Sequence, residues 1–365
     1  MATETITLNF GPQHPSTHGV LHVLLELDGE VIASADASLG YLHRGVEKLS
    51  ENRKYQQVVT IVDRADYLNA MGNELGWVLA AENLMPELEI PPRATVLRVL
   101  MAELQRICSH LLWLGTFGLD LGALTPFLLC MRDRETVNDL FEEVCGGRLT
   151  FNYMRVGGVW MDVPDGWVER VMDFIERFPS AIDEYETLLT NNEIFRRRLI
   201  GIAPLDAQRC LAWGVTGPIL RASGLAWDLR KDAPYCGYED YEFDVPTGRV
   251  GDCYDRYLVR VREMRESTRI VRQALEALPD GEIMADVPKT VKPPVGETFT
   301  LVESPRGQLG YYVVSDGTDK PYRMKMRGPS FCNLSMINEM LAGWKIGDAV
   351  AIIGSIDIVL GEVDR

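Results

Sequence analysis

The apolar positions change their period along the chain, and each change predicts a different kind of element. Residues 20–38 are dense in Val, Leu and Ile, and Asp28-Gly29 separates two such runs, which predicts a β-hairpin. After Arg44 the spacing turns helical. Leu68, Met71, Leu75, Val78 and Leu79 share one face, and the run stops ahead of Pro86, Pro91 and Pro92. Thr95 is the predicted N-cap of a second helix, whose stripe runs Leu97, Leu100, Met101, Leu104, Ile107 and Leu111. A third starts near Asp165, with Trp167, Val171, Phe174, Ile175 and Phe178 inward and a kink at Pro179. The fourth, residues 254–278, turns Tyr257, Val261, Met264, Thr268, Val271, Leu275 and Leu278 to one side. Arg256, Arg260, Arg262, Arg265, Arg269 and Arg272 occupy its other faces, as a solvated ion-paired surface or, alternatively, as a dock for an acidic partner.

The C-terminal part returns to a period of two. Residues 310–327 predict a hairpin around Asp316-Gly317, with Tyr322, Met324 and Met326 alternating with Arg323, Lys325 and Arg327. Residues 349–360, AVAIIGSIDIVL, read as a final buried strand. The chain therefore divides into a β-rich segment (1–42), a helical core (43–285) and a second β-rich segment (286–365), expected to interlock as one unit. No βαβ rhythm is present, so the fold class is α+β.

Composition narrows the function. A net charge of −16 argues against general nucleic-acid or anionic-lipid binding, which draws on clustered Lys and Arg. No basic segment followed by an apolar stretch opens the chain, so secretion is not expected and a reducing cytoplasm is. Cys108, Cys130, Cys145, Cys210, Cys236, Cys253 and Cys332 include no C-x-x-C pair. Iron–sulfur clusters and structural zinc need such pairs, so no metal centre held by this chain alone is expected. The thiols read as buried small apolar groups. Dinucleotide, Walker-type and nucleophile-elbow motifs are absent, which leaves NAD binding, ATP binding and serine hydrolysis by this chain unsupported.

Candidate chemistry lies in the first third. His14, His18 and His22 are spaced by four, but Pro15 and Gly19 argue against the helix that would turn this spacing into a metal face. The loop is either a structural turn or a ligand loop. Residues 111–131 hold one charge near their centre, Asp120. They have the length of a membrane span, yet Asp at its centre costs about 2.5–3.5 kcal/mol, and Pro126 and the glycines interrupt the helix. A buried segment of a soluble core is expected. Its carboxylate must pair with an Arg or a helix end, take up a proton, or tune a histidine. Tyr67, directly after Asp63-Arg64-Ala65-Asp66, is expected in the first turns of a helix with its hydroxyl at the rim of the core.

The same residues carry a family resemblance. FGPQHPSTHGV (10–20), GYLHRGVEK (40–48), DRADYL (63–68), GLDLGALTP (118–126), RVGG (155–158), VTGPILRASG (215–224), DVP (244–246) and GDCYDRYLVR (251–260) resemble the 49-kDa-type subunits of bacterial NADH-quinone oxidoreductase, respiratory complex I. So do ESPRGQLGYYVVSDG (303–317), KPYR (320–323) and GSIDIVLGEVDR (354–365). The blocks are collinear from residue 10 to the end. The family is related to the large subunit of nickel–iron hydrogenases, so the resemblance implies a long-helix core with antiparallel β elements at its periphery. Hydrogenases hold their metals with cysteines from two C-x-x-C pairs. The corresponding neighbourhoods here, VDRADYLNA and GSIDIVLGEVD, contain no cysteine, which excludes that metal site and leaves a cavity for another ligand.

In that family the cavity takes a quinone head group, ubiquinone or menaquinone. The resemblance implies that His18 and Tyr67 bond the quinone carbonyls and that Asp120 pairs with His18. His43 and Arg44 fall near the interface with a small subunit bearing a 4Fe–4S cluster. FMN and the other iron–sulfur clusters belong to partner subunits of the peripheral arm, and a membrane arm moves protons. The chain itself would be peripheral, on the cytoplasmic side of the inner membrane. An equivalent subunit fed by ferredoxin or another donor, or a scaffold without activity, would share the same blocks. Departures from the family pattern are His22, where Arg is common, the small Ala37-Ser38, and Ala65 in place of a larger apolar residue.

Overall fold

The computed structural model describes residues 5–13 and 19–365; His14 and His18 lie outside them. The chain opens with β1 (Ile6–Phe10), β2 (His22–Asp28) and β3 (Val31–Ser38), an antiparallel sheet in that order. The predicted turn at Asp28-Gly29 joins β2 to β3. Val23, Leu25 and Leu27 point into the core while Glu26 and Asp28 point out, the alternation of a sheet covered on one face. Short helices α1 (Val46–Ser50) and α2 (Tyr55–Val62) lead to α3 (Ala70–Asn83), α4 (Pro92–Asp120) and α5 (Leu124–Cys145). A two-residue ladder follows, β4 (Met154–Arg155) with β5 (Gly158–Val159), then α6 (Trp167–Leu188), which runs through Pro179. Four short helices, α7 (Glu193–Leu199), α8 (Ala207–Ala212), α9 (Pro218–Ala222) and α10 (Leu229–Asp232), precede α11 (Cys253–Glu276). The second antiparallel sheet is β6 (Gly296–Ser304), β7 (Gly307–Ser315) and β8 (Arg323–Arg327). The chain finishes with α12 (Pro329–Leu334), α13 (Ile337–Leu341), α14 (Ile346–Ile356) and α15 (Leu360–Asp364).

Helix α4, 29 residues and roughly 43 Å long, is the axis of the core. It packs against α3, α5, α11 and α14 and is buried nearly all round from Leu97 to Gly118. Its polar residues survive burial because each is paired. Arg98 forks onto Glu82 of α3 at 2.6 and 3.0 Å. Glu103 accepts from Arg230, from the Tyr238 hydroxyl and from the Ser267 hydroxyl, the last two at 2.6 Å, and Arg106 and Arg230 draw its carboxyl down to about 2 against the cost of burial. His110 bonds Glu263 of α11 at 3.0 Å, and burial lowers its pKa to about 4. Removing one partner from such a set costs about 3–5 kcal/mol, because the other is left charged and dry.

Several expectations are corrected. Helix α4 starts at Pro92 rather than after Thr95: Pro at the first helical position loses no needed N–H, and the Thr95 hydroxyl turns back to the Pro91 carbonyl. On α11, Arg256 and Arg260 are not on a solvated face. Both are buried, Arg256 on the Ser355 hydroxyl and the Gly251 carbonyl, Arg260 on the carbonyls of Ser355 and Ile356. Arg265 and Arg269 keep the ion-paired surface role, with Asp183, Glu186, Asp244 and Glu266.

Residues 349–360 form no strand but most of α14 and the entry to α15. A segment buried on every side has no polar alternation to reveal its period, and packing overrides the β-preference of its Ile and Val. A small residue lets the helix pack closely on α4. A side chain on Gly354 would meet the Phe117 ring at 2.8 Å, and the Gly354 carbonyl takes the Trp113 indole N–H at 2.7 Å. In the β7–β8 hairpin Met324 and Met326 are buried as predicted, whereas Tyr322, just before the strand, is exposed.

The stretch 111–131 is split between α4 and α5 by a turn at Leu121–Ala123, where Gly122 takes φ +90°. It is only partly core, since Leu119, Leu124 and Leu128 are exposed. No helix among the described residues is long and apolar enough to cross a membrane. Tyr67 sits in the turn before α3, not within the helix.

Close backbone contact joins the turn at 63–69 to the C-terminal helices: a Cβ on Gly361 would lie 2.6 Å from the Ala65 carbonyl oxygen. Gly361→Ala is expected to destabilise the protein by about 1–3 kcal/mol through this overpacking. Gly347→Ala, with nothing within 4 Å of the added carbon, should leave the thermal unfolding midpoint within error of wild type.

Candidate functional site

A cleft of about 300 Å³ opens where three distant parts of the chain meet. One wall is the turn carrying Tyr67 and Leu68. The second is the last two turns of α4, and the third is Asp357-Ile358-Val359 between α14 and α15. On α4, Leu112, Thr116 and Asp120 are spaced by four and so present one face to the cleft. Asp120 is half-buried at the carboxyl end of its helix, where the helix dipole disfavours an anion. Trp113 closes the wall behind them. Its ring is stacked on Phe117 at 5.0 Å, and the buried Arg260 guanidinium covers it at 4.4 Å.

Behind the cleft lies a buried ion set. Arg306, in the two-residue turn between β6 and β7, donates through Nη1 to Asp66 Oδ2 at 3.1 Å and to the Ser109 hydroxyl at 2.7 Å. Its Nη2 reaches Asp357 Oδ1 at 3.3 Å. Asp357 caps α14 in the left-handed region, φ +61°, a conformation Asp tolerates better than most residues. Its Oδ2 lies 3.7 Å from Arg260 Nε. Burial pushes the Asp357 carboxyl up to about 6, although Arg306 and Arg260 pull it down. Burial also raises Asp66 and, with the neighbouring Asp66 charge, the Tyr67 phenol, while Arg306 and Arg44 draw that phenol back. Glu362 of α15 accepts from the Ser330 N–H at 2.9 Å, and burial plus Asp66 lift its carboxyl to about 7.

Of the residues named from sequence, Tyr67 and Asp120 come together here. His18 lies outside the described residues, between Phe10 at the end of β1 and His22 at the start of β2. His43 and Arg44 are exposed beside α1 and are not among the residues lining the cleft. His43 Nδ1 meets the Asp364 carbonyl oxygen at 2.7 Å, and the Arg44 guanidinium donates to the Arg64 carbonyl. The departures from the family pattern have defined places: His22 and Ser38 are cross-strand partners, with Ala37 beside them opposite Val23. His22 Nε2 bonds the Asn9 side chain at 2.8 Å. Ala65 is fully buried. Sequence reasoning missed Asp66, Thr116, Arg306 and Asp357. For Asp357 a signal existed, the single charge in AVAIIGSIDIVL, which is the same cue that singled out Asp120.

Comparison with known proteins gives the lineage. A family model described as the 49 kDa subunit of respiratory-chain NADH dehydrogenase matches residues 120–295 and 286–365. An NADH-quinone oxidoreductase subunit from Desulforamulus reducens is 54% identical over 362 residues, 99% of each chain. One from Solibacter usitatus is 53% identical over 360 residues, 99% of this chain and 97% of the relative. Another, from Carboxydothermus hydrogenoformans, is 51% identical over 364 residues, with both chains fully covered. The chain belongs to the 49 kDa subunit family of NADH-quinone oxidoreductase. In this oxidoreductase subunit, the two cysteine-free neighbourhoods noted in the sequence supply two of the three walls of the cleft. Each contributes an aspartate, Asp66 and Asp357, and Arg306 bridges the two. Among the described residues no group of three His, Cys, Asp or Glu side chains is arranged to hold a metal ion.

The raised carboxyls set a pH dependence. A folded-state pKa above the unfolded one gives stability that is present in acid and lost as pH rises through the folded value. For Glu362 the loss spans pH 4.5 to about 7. Glu362→Gln should flatten that decline, by up to about 3 kcal/mol, in denaturant unfolding measured across pH 4 to 8.

Proposed function

We propose that this subunit forms the quinone head-group site of a proton-translocating NADH:quinone oxidoreductase. The observation that carries the reading is the convergence of Tyr67 and Asp120 on one cleft whose other lining is largely apolar, in a chain of this oxidoreductase family. A quinone head group is flat and apolar with two carbonyl acceptors, and a mostly apolar cleft with few convergent polar groups suits it. At about 300 Å³ the cleft is of head-group size and leaves a tail outside.

In this reading Tyr67 donates to one carbonyl and His18 to the other, while Asp120 orients His18 and favours its charged form. Reduction of the quinone takes two electrons and two protons. The electrons come from a 4Fe–4S cluster in a neighbouring small subunit, supplied from NADH through FMN and further clusters in other partners. The protons come from the two donors, which act as general acids. His43 and Arg44 face that cluster-bearing partner. The subunit sits on the cytoplasmic side of the inner membrane, held by its partners, and proton movement through the membrane arm follows from charge changes at the site. Relaxation of the Asp120–His18 pair, once His18 has given up its proton, is the proposed trigger.

Tyr67→Phe in the assembled complex removes one hydroxyl and little volume. It should lower NADH-to-quinone electron transfer at least about tenfold and leave NADH-to-ferricyanide transfer intact. Equal rates with quinone in variant and wild type would remove Tyr67 from the site and the reading with it. Asp120→Asn should lower quinone reduction or its coupled proton transfer, and full retention of both excludes the Asp120–His18 trigger.

A further inference from the structure

Arg306 is the point at which the cleft's supports meet, and the quinone reading gives it no part in the reaction. Its three acceptors come from three separate elements: Asp66 from the turn that carries Tyr67, Ser109 from α4, and Asp357 from the opposite wall. Its backbone is equally fixed. Asn333 donates to the Arg306 carbonyl at 3.0 Å, and a Cβ on Gly217 would lie 2.4 Å from that oxygen. A guanidinium does not deprotonate in a protein, so a permanent charge is held in one place beside the cleft.

The charges around Tyr67 make that placement matter. Asp66 is its neighbour on the same turn and raises the cost of losing its proton, and Asp120 and Asp357 line the same cleft. Two cations act on the phenol, Arg306 and Arg44. Arg44 is exposed and screened by solvent and salt, whereas Arg306 is fully buried and is not.

We propose that Arg306 is a positioning residue of quinone reduction: bonded to Asp66, the residue before Tyr67, it holds its charge beside the turn that carries the phenol as the phenol's proton passes to the quinone. The inference rests on the quinone reading. In the step, two electrons reach the quinone from the partner's iron–sulfur cluster. The Tyr67 O–H bond breaks, its electron pair stays on the phenolate oxygen, and the proton forms a new O–H bond on one quinone oxygen. The other quinone oxygen is protonated by the second donor, and a proton from solvent later restores the phenol. Without Arg306 the phenolate would form beside Asp66 with only the exposed Arg44 to offset it.

The test is a set of double-mutant comparisons in the assembled complex. Arg306→Lys and Ser109→Ala are each made alone and together with Tyr67→Phe. In each, kcat, KM and the solvent deuterium isotope effect on NADH-to-quinone transfer are measured, normalised to complex content on native gels. Arg306→Lys should lower kcat about tenfold, keep KM within about twofold and raise the isotope effect. Ser109→Ala, which only loosens the guanidinium, should do the same to a smaller extent. Both effects should vanish in the Tyr67→Phe background. Effects that multiply with Tyr67→Phe, a rise in KM alone or an unchanged isotope effect would overturn the proposal and leave the quinone reading standing. If Arg306→Lys fails to assemble, Ser109→Ala decides by the same criteria. Full quinone activity in Tyr67→Phe alone would overturn both.

Discussion

The cleft exists because a buried guanidinium holds two aspartates from opposite ends of the chain. Arg306 spans Asp66 and Asp357, nearly three hundred positions apart in sequence. Neither carboxylate has enough water to be stable alone, and Arg306 would be as costly without them. Each therefore enforces the fold of the other two. The turn at 63–69, the β6–β7 turn and the α14–α15 junction have to meet, and the cleft is the space left on their outer side.

The same economy runs through the interior. Helix α4 has no solvent face over most of its length, yet it carries Arg98, Glu103, Arg106 and His110. Helix α11 brings Arg256, Arg260 and Glu263, and Arg221 joins Glu263 to Glu303. Apolar helices of this length could slide or rotate against each other with little penalty. Paired charges admit one register, because a slip strands several at once. The core's polar content therefore fixes geometry at the cleft, where a displacement of an ångström decides whether a donor reaches its acceptor.

Much of this was legible in the sequence, and the gaps have physical causes. The β2–β3 and β7–β8 hairpins, and helices α6 and α11, follow from period and turn residues, since each turns one face to water, whereas α3 and α4 are buried nearly all round and were marked by apolar spacing and the prolines between them. Segment 349–360 did not declare itself, because full burial erases the alternation on which such a reading depends. The buried arginines of α11 were hidden for a related reason: an isolated Arg looks the same in sequence whether it meets solvent or a carbonyl. Tyr67 and Asp120 were recognisable as oddities, a phenol after a charged run and one carboxylate in an apolar stretch. Arg306 and Asp66 were not, because their meaning lies in a pairing between residues 240 positions apart.

The contact between Gly361 and the Ala65 carbonyl sets a limit on how such a site can diversify. With backbone against backbone, the walls of the cleft cannot be moved apart or together by exchanging side chains at that seam. Adaptation to a larger, smaller or differently substituted ring is left to what projects into the gap, at Leu112, Thr116, Trp113 and Val359. The frame is fixed by backbone packing, and the lining is where a change can be accommodated.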